Sequence, residues 1–177
     1  MTEQAAPPSP TYASYPSLVD RTVLITGGAD GIGAALVEQF TAQGSQVAFI
    51  DVNTTKAAET IERCGADDPR NPPRFYEVDL VDIEALRAAI AQISTDLDSI
   101  TVLVNNAASD DRHSWEDMTV DYWNDRLDTN LRHYFFAIQA VAPGMIAAQH
   151  GSIINIGSSS YMMQEDFFPG YAIAKSG

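Results

Sequence analysis

A doubly wound α/β fold, a parallel sheet with helices on both faces, is predicted by three observations on this 177-residue chain. Short β-branched apolar runs alternate with longer helical patterns, which is the connection rule that yields parallel strands. A glycine-rich segment, Gly27-Gly28-Ala29-Asp30-Gly31-Ile32-Gly33, joins the first such strand to the first helix. An acidic residue, Asp51, closes the second strand.

The first strand is the run Thr22 to Thr26, and the helix after the glycines carries Leu36, Val37 and Phe40 at helical spacing. Gly27 suits a tight turn, Gly31 a close approach of backbone to a pyrophosphate, and Gly33 close packing of helix on strand. The helix N-terminus, with Asp30 and Ile32 in the same turn, offers N–H groups and a positive dipole end to phosphate. Gly44 is a helix C-cap, and Gln46 to Asp51 is a second buried strand. Its terminal carboxylate lies about 20 residues beyond the glycines, the spacing at which such sites bind a ribose diol. A strand-end cap is the structural alternative for Asp51. The same carboxylate repels a 2′-phosphate, and Ala29 and Asp30 supply no base to offset it, so NAD is expected rather than NADP.

Residues 54–64 read as a helix, Phe75 to Val78 as the third strand, and 82–97 as an amphipathic helix through Ile83, Leu86, Ile90, Ile93 and Leu97. Asp79-Leu80 follows the third strand, where Asp79 either meets an adenine amino group or serves the turn. The fourth strand, Thr101 to Val104, runs into Asn105-Asn106-Ala107-Ala108. Its small residues leave room for a cofactor, and its amides can fix backbone around it. One helix is expected over 121–148, with Leu127, Leu131, Phe135, Ile138, Ala142 and Met145 on a core-facing or subunit-facing stripe. Asn130 and Pro143 interrupt that pattern, as a polar group needing a partner and as a bend. Ser152 to Ile156 is the fifth strand, delivering Gly157-Ser158 to the edge that carries the glycine loop.

Composition narrows the partners. The 24 acidic and 10 basic residues leave a net charge of −14, which argues against nucleic acid and anionic membranes and leaves bound phosphate to backbone N–H groups. The one cysteine, Cys64, permits no internal disulfide and fits a reducing, cytoplasmic setting. Residues 1–17, with Pro7, Pro8, Pro10 and Pro16, read as a disordered tail before a nucleotide-binding unit over 18–177. No apolar run approaches the ~18 residues of a membrane span. Asp110, Asp111 and His113 are metal-ligand types, but without ligand spacing they read as a solvated loop, and no metal site is expected.

Near the end of the chain, Tyr171 and Lys175 are spaced to share one helix face. An ammonium within ~4 to 6 Å of a phenol favours the phenolate, moving a pKa of ~10 down by roughly 1 to 3 units, and so makes the phenol a usable acid/base. Ser158-Ser159-Ser160 lies upstream. Together, Thr26-Gly27 to Gly33, Asp51, Asp79, Asn105-Asn106-Ala107, Asn130, Ser158 and Tyr171-x-x-x-Lys175 resemble the short-chain dehydrogenase/reductase family from about residue 18 onward. The resemblance implies a Rossmann fold and hydride transfer at a nicotinamide. It also implies catalytic roles: Tyr171 as acid/base, Lys175 lowering its pKa and holding the nicotinamide ribose, Ser158 orienting the substrate oxygen, and Asn130 anchoring a relay water. Cofactor contacts are expected at Gly27, Asp30, Gly31, Ile32, Gly33, Asp51, Asp79, Leu80, Asn106, Ala107, Tyr171 and Lys175. Ala108 departs from the family's usual Gly, and Ser159 and Ser160 are weaker alternatives to Ser158 because only Ser158 has the family's separation from the tyrosine.

Tyr15-Pro-Ser-Leu18, Asp110-Asp-Arg-His113, Asn130-Leu-Arg-His133 and Gln139 to Met145 look like stretches of NAD-dependent aldose 1-dehydrogenases of the D-xylose dehydrogenase type. This implies oxidation of an anomeric hydroxyl to a lactone. Between Ser158 and Tyr171, the segment 161–168 is either a surface loop or a pocket wall in which Gln164 and Glu165 meet sugar hydroxyls. The rival readings are an NADPH-linked carbonyl or 3-oxoacyl reductase and a catalytically silent NAD-binding module. Family members continue for two further strands, their helices and a substrate lid. The 177 residues alone are therefore expected to be inactive or nearly so, and the longer protein to form a homo-oligomer, a dimer or tetramer.

Overall fold

The computed structural model describes residues 13–67, 71–163 and 167–177, without the side chains of residues 66 and 67. Five parallel strands, β1 (Thr22–Thr26), β2 (Gln46–Asp51), β3 (Arg74–Glu77), β4 (Val102–Asn105) and β5 (Ser152–Asn155), form one sheet in the order β3-β2-β1-β4-β5. The chain builds outward from β1 through β2 to β3, then crosses back to lay β4 and β5 on the other side. The reversal between β1 and β4 opens a crevice at the carboxyl ends of the strands, where ligands of such sheets bind.

Among the described residues five α-helices lie between the strands, α1 (Gly31–Ala42), α2 (Thr54–Asp67), α3 (Ile83–Leu97), α4 (Val120–Leu127) and α5 (His133–Ala147), and a sixth, α6 (Pro169–Ser176), follows β5. Alternation along the strands sends side chains to opposite faces. Leu24, Ala48, Ile50 and Leu103 pack against Leu86, Ile90 and Ile93 of α3 and Ala137, Val141 and Met145 of α5. Val23, Ile25, Val47, Phe49, Val102 and Val104 pack under Val37 of α1 and Ala57 and Cys64 of α2. The expected doubly wound architecture is therefore present. The edge strand β5 is exposed along its length, with Ile153 and Ile154 about 40% accessible. Among the described residues no helix is long and apolar enough to cross a membrane.

Two expectations need correction. Residues 13–17, read as tail, are tied down: Tyr15 N donates to Gln43 Oε1 at 2.7 Å, Gln43 Nε2 donates to Ala13 O at 3.0 Å, and Pro16–Leu18 form a 3₁₀ turn. The predicted helix over 121–148 is two helices joined by a π-helical turn, Asp128–Arg132, while Pro143 sits inside α5 without ending it. The core side of this segment is Asn130, His133, Tyr134, Ala137, Val141 and Met145. Of the predicted apolar stripe only Met145 is buried, and Phe135 is 63% exposed. Apolar character misled here because the buried face carries an amide, an imidazole and a phenol, each with a hydrogen-bond partner.

His133 has a measurable consequence. Its Nε2 meets Thr129 O at 2.9 Å, and burial pushes its pKa from 6.5 down to about 4. The unfolded chain binds the proton first, so His133 contributes full stability above pH 6.5 and loses it as the pH falls towards 4. Urea titrations of wild type and His133→Gln should diverge in that window by up to about 3 kcal/mol. Parallel pH profiles would contradict this account of the buried imidazole.

Candidate active site

The glycine turn is held by close contacts. Gly27 has φ +68°, and a Cβ on it would lie 2.7 Å from Ala107 Cα. A Cβ on Gly33 would lie 1.8 Å from Gly27 O, so the first turn of α1 sits directly on the loop backbone. Asn106 secures the arrangement: its Nδ2 donates to Thr26 O and Gly27 O, both at 3.0 Å, and its N–H donates to Thr26 Oγ1. Gly31 differs, since with φ +55° its missing Cβ would meet nothing within 4 Å, and its open side lines the cleft. Asp30 caps α1 by accepting from Gly31 N at 2.8 Å.

At the carboxyl end of β2, Asp51 accepts from Ala29 N and Asn53 N, each at 3.0 Å. One oxygen steadies the glycine loop and the other the turn into α2, so the cap role weighed for Asp51 is real, and its remaining lone pairs border the cleft. Asp79 accepts from Val81 N at 3.0 Å, which is the expected turn role, and with Leu80 it also lines the cleft.

This cleft, about 790 Å³, runs from Asp51, Val52 and Asp79 past Gly31 and Ile32 to Ala107, Asp110, Ser158, Tyr171 and Lys175. Every predicted cofactor-contact residue borders it, and Lys175 is the one cation among its described lining residues. Of the four predicted catalytic residues, Ser158, Tyr171 and Lys175 lie in its wall, whereas Asn130 borders an adjoining cavity of about 350 Å³ that also touches Lys175. Asn130 is 1% exposed, with Oδ1 accepting from Ser109 N at 2.7 Å and Nδ2 donating to Arg126 O at 2.9 Å. Both ends of its amide are thus spent on backbone.

Lys175 Nζ donates to Ile156 O at 2.8 Å and to the Tyr134 hydroxyl, and lies 5.9 Å from the Tyr171 ring centroid. Burial pushes the lysine from 10.5 down to about 8 and drives the Tyr134 phenol well above its ordinary 10. Ser158 Oγ donates to Ser160 Oγ at 2.9 Å; Ser160 is buried, whereas Ser158 and Ser159 face the cleft. Gln164 and Glu165 lie outside the described residues.

Sequence reasoning missed several supporting residues. Tyr134, the lysine's partner, was hidden in a helical pattern read for its apolar members. Asn155, at the end of β5, receives the Asn105 Nδ2 bond at 2.9 Å. Arg126, 7% exposed, bonds Ser109, Asp111 and Asp125, while His113 Nε2 accepts from Gly170 N at 3.1 Å, just before Tyr171. The one base of residues 121–130, Arg126, and the acidic pair Asp110-Asp111 were the available signal, but only folding brings the two together.

A parallel sheet with a glycine-lined cleft and a Ser-Tyr-Lys wall at its carboxyl edge defines an α/β unit of Rossmann type. The chain belongs to the short chain dehydrogenase family, whose model matches residues 21–177. It is 44% identical over 165 residues to D-xylose 1-dehydrogenase of Caulobacter vibrioides (strain NA1000 / CB15N), an alignment covering 93% of this chain and 64% of that protein. The same figures hold for a protein of Rhizobium meliloti (strain 1021) named probable galactose dehydrogenase. The solved structure of levodione reductase has the same fold, with a TM-score of 0.84 at 24% identity over 90% of this chain and 62% of that one. The chain thus spans a little under two thirds of the relatives it matches, 64% for both dehydrogenases.

The two glycines of α1 predict opposite outcomes for one substitution. Gly33→Ala puts a methyl into the Gly27 carbonyl and should abolish cooperative folding, as read by thermal melts. Gly31→Ala meets only backbone strain of about 1–2 kcal/mol and should fold. Equal melting temperatures for the two variants would contradict the packing described.

Proposed function

We propose that the protein is an NAD-dependent oxidoreductase that oxidises a hydroxyl group, specifically the anomeric hydroxyl of an aldose, to give a lactone. The observation that carries this reading is the single cleft bordered by Asp51, the open face of Gly31, Ser158, Tyr171 and Lys175. Its residues fit a dinucleotide. Backbone at the start of α1 would hold the pyrophosphate, Asp51 the adenosine ribose hydroxyls, and Asp79 and Leu80 the adenine side. Asn106 and Ala107 would border the nicotinamide half, and Lys175 would hold its ribose. Asp51 disfavours a 2′-phosphate, and no cation lies near it in the described lining.

When bound, the nicotinamide supplies the hydride acceptor. This chain's residues supply the proton path and the orientation. Ser158 Oγ bonds the substrate oxygen, and the Tyr171 phenolic oxygen takes its proton. Lys175, held by Tyr134 and Ile156 O, keeps a third proton free to donate into the cleft. Asn130 stiffens the π-turn beside the lysine and thereby anchors the relay path. The sugar assignment is supported by the two 44% identical relatives, whose names specify D-xylose and galactose. We further propose a homo-oligomer, with the exposed apolar Phe135 as part of the contact, in a cytoplasmic setting.

Fluorescence of NADH formed from a panel of pentoses and hexoses tests the reading. Oxidation of aldoses with NAD is expected of a chain extended to the length of its relatives and not of the 177 residues alone, and turnover of ketoacyl substrates with NADPH but not of sugars would overturn the reading. Tyr171→Phe should lose about 10³-fold or more in kcat while still binding NADH, on the scale of removing a catalytic acid/base. Near-full activity would remove Tyr171 from the proton path. Asp51→Ser should raise the NADP-to-NAD ratio of kcat/KM by about 10-fold or more, and an unchanged ratio would count against its ribose role.

A further inference from the structure

The loop after β4 holds Asp110 in the wall of the cleft, and among the described residues its carboxylate has no partner. Ser109 is tethered by its N–H to Asn130 Oδ1 at 2.7 Å and by its Oγ to Arg126 Nη1 at 3.1 Å. Asp111 is tethered by Oδ2 to the same Arg126 Nη1 at 3.1 Å. The remaining donors of Arg126 that form bonds go to Asp125. Asp110 lies between these two anchored residues, so its backbone is held on both sides. The same arginine packs beside the start of α6: a Cβ on Gly170, next to Tyr171, would lie 3.0 Å from Arg126 Cγ. Asp110 lines the cleft together with Ser158 and Tyr171, and no described residue hydrogen-bonds its carboxylate or forms an ion pair with it.

We propose that Asp110 is a substrate subsite that accepts hydrogen bonds from hydroxyl groups of a neutral polyhydroxylated substrate, remote from the carbon that is oxidised. The proposal rests on the dehydrogenase reading above and deepens it by assigning the substrate class to a residue. An ionised carboxylate only accepts, and its two oxygens can take two neighbouring hydroxyls at once. Arg126, which ties down both neighbours of Asp110, is committed to Asp111 and Asp125, and no described cation pairs with Asp110, so that negative charge is left to the ligand. A vicinal diol satisfies that charge, a monohydric alcohol leaves it to water, and a hydroxy acid meets like-charge repulsion. Charge and hydroxyl count thus become the selective features at this end of the cleft.

Calorimetric titration and saturation-transfer NMR with D-xylose test the subsite on wild type, Asp110→Asn and Asp110→Ala, each with and without NADH. The asparagine variant keeps the side-chain shape, so the comparison survives if alanine disturbs the loop. Sugar affinity should fall about 10- to 100-fold in both variants, the range for losing a hydrogen bond to a charged group, with NADH affinity unchanged. Binding of 3-hydroxybutyrate, read by the same titrations, should strengthen in Asp110→Asn, because the repulsion is gone. Equal sugar affinity in variants and wild type, or no sugar binding by wild type, overturns the subsite. Failure of wild type to bind NADH would instead overturn the dehydrogenase reading, and the sugar titration without NADH still decides the subsite.

Discussion

The rest of the cleft depends on a contact that has no room for a side chain. With Gly33 over the Gly27 carbonyl, α1 starts almost on top of the strand-to-helix turn, and a methyl group there would lie 1.8 Å from that oxygen. Asn106 then bridges Thr26 O and Gly27 O from the end of β4, which joins both sides of the sheet reversal through one amide. A loop of glycines would otherwise be the most entropically costly part of the chain to order. Here sterics exclude alternatives on one side and three hydrogen bonds from Asn106 fix the other. The first residues of α1, Gly31, Ile32 and Gly33, are consequently held in the wall of the cleft, with Gly31 N capped by Asp30.

That rigidity matters because the electrostatics are unfavourable to an anion. The chain carries a net charge of −14, and Asp30, Asp51, Asp79 and Asp110 all border a cleft whose one described cation, Lys175, stands at the far end. Long-range attraction would not bring an anion here, since the screening length is about 8 Å at physiological salt. Only local donors could hold one. Three of the four aspartates are partly neutralised by backbone: Asp30 by Gly31 N, Asp51 by Ala29 N and Asn53 N, and Asp79 by Val81 N. Each serves as a cap or turn residue in addition to bordering the cleft, so their presence is compatible with a negatively charged ligand held by the helix end. Asp110 is the exception, and it sits at the other end of the cleft from Asp51.

The sheet was legible in the sequence because its signals are local. Alternating β-branched runs, the glycine turn and Asp51 each act within a few residues, and all five strands fall within one or two residues of where the pattern predicts them. The cleft residues were legible for the same reason, since strand ends and the turns after them carry them. The 121–148 segment was not, because its burial follows hydrogen bonding rather than hydropathy. A helix face bearing Arg126, Asn130, His133 and Tyr134 has no apolar signature, and the π-turn that accommodates Asn130 changes the helical phase part-way along. The same applies to Arg126 and the Ser109-to-His113 loop. Their partnership joins residues 15 or more apart in sequence and is encoded only in the tertiary arrangement.

These long-range bonds make the Tyr171 end of the cleft one mechanical unit. Asn130 ties the π-turn to Ser109, Arg126 ties Ser109 and Asp111 to α4, and His113 receives the first free N–H of α6 at Gly170. Four elements therefore share a network that closes within one residue of Tyr171, and the ring of Tyr122 adds contacts to both the Arg126 guanidinium and the His113 imidazole. Lys175, one turn further along α6, is fixed separately through Tyr134 and the Ile156 carbonyl. The helix is thus held at its start by the loop and at its end by α5 and β5. An eight-residue helix has little intrinsic stability in water, so these two anchors must set the position and orientation of the face it turns to the cleft. Positional order at Tyr171 is then a property of residues scattered over the loop, the π-turn and α5, which is why the Tyr-x-x-x-Lys spacing, common in helices generally, becomes informative only with them in place.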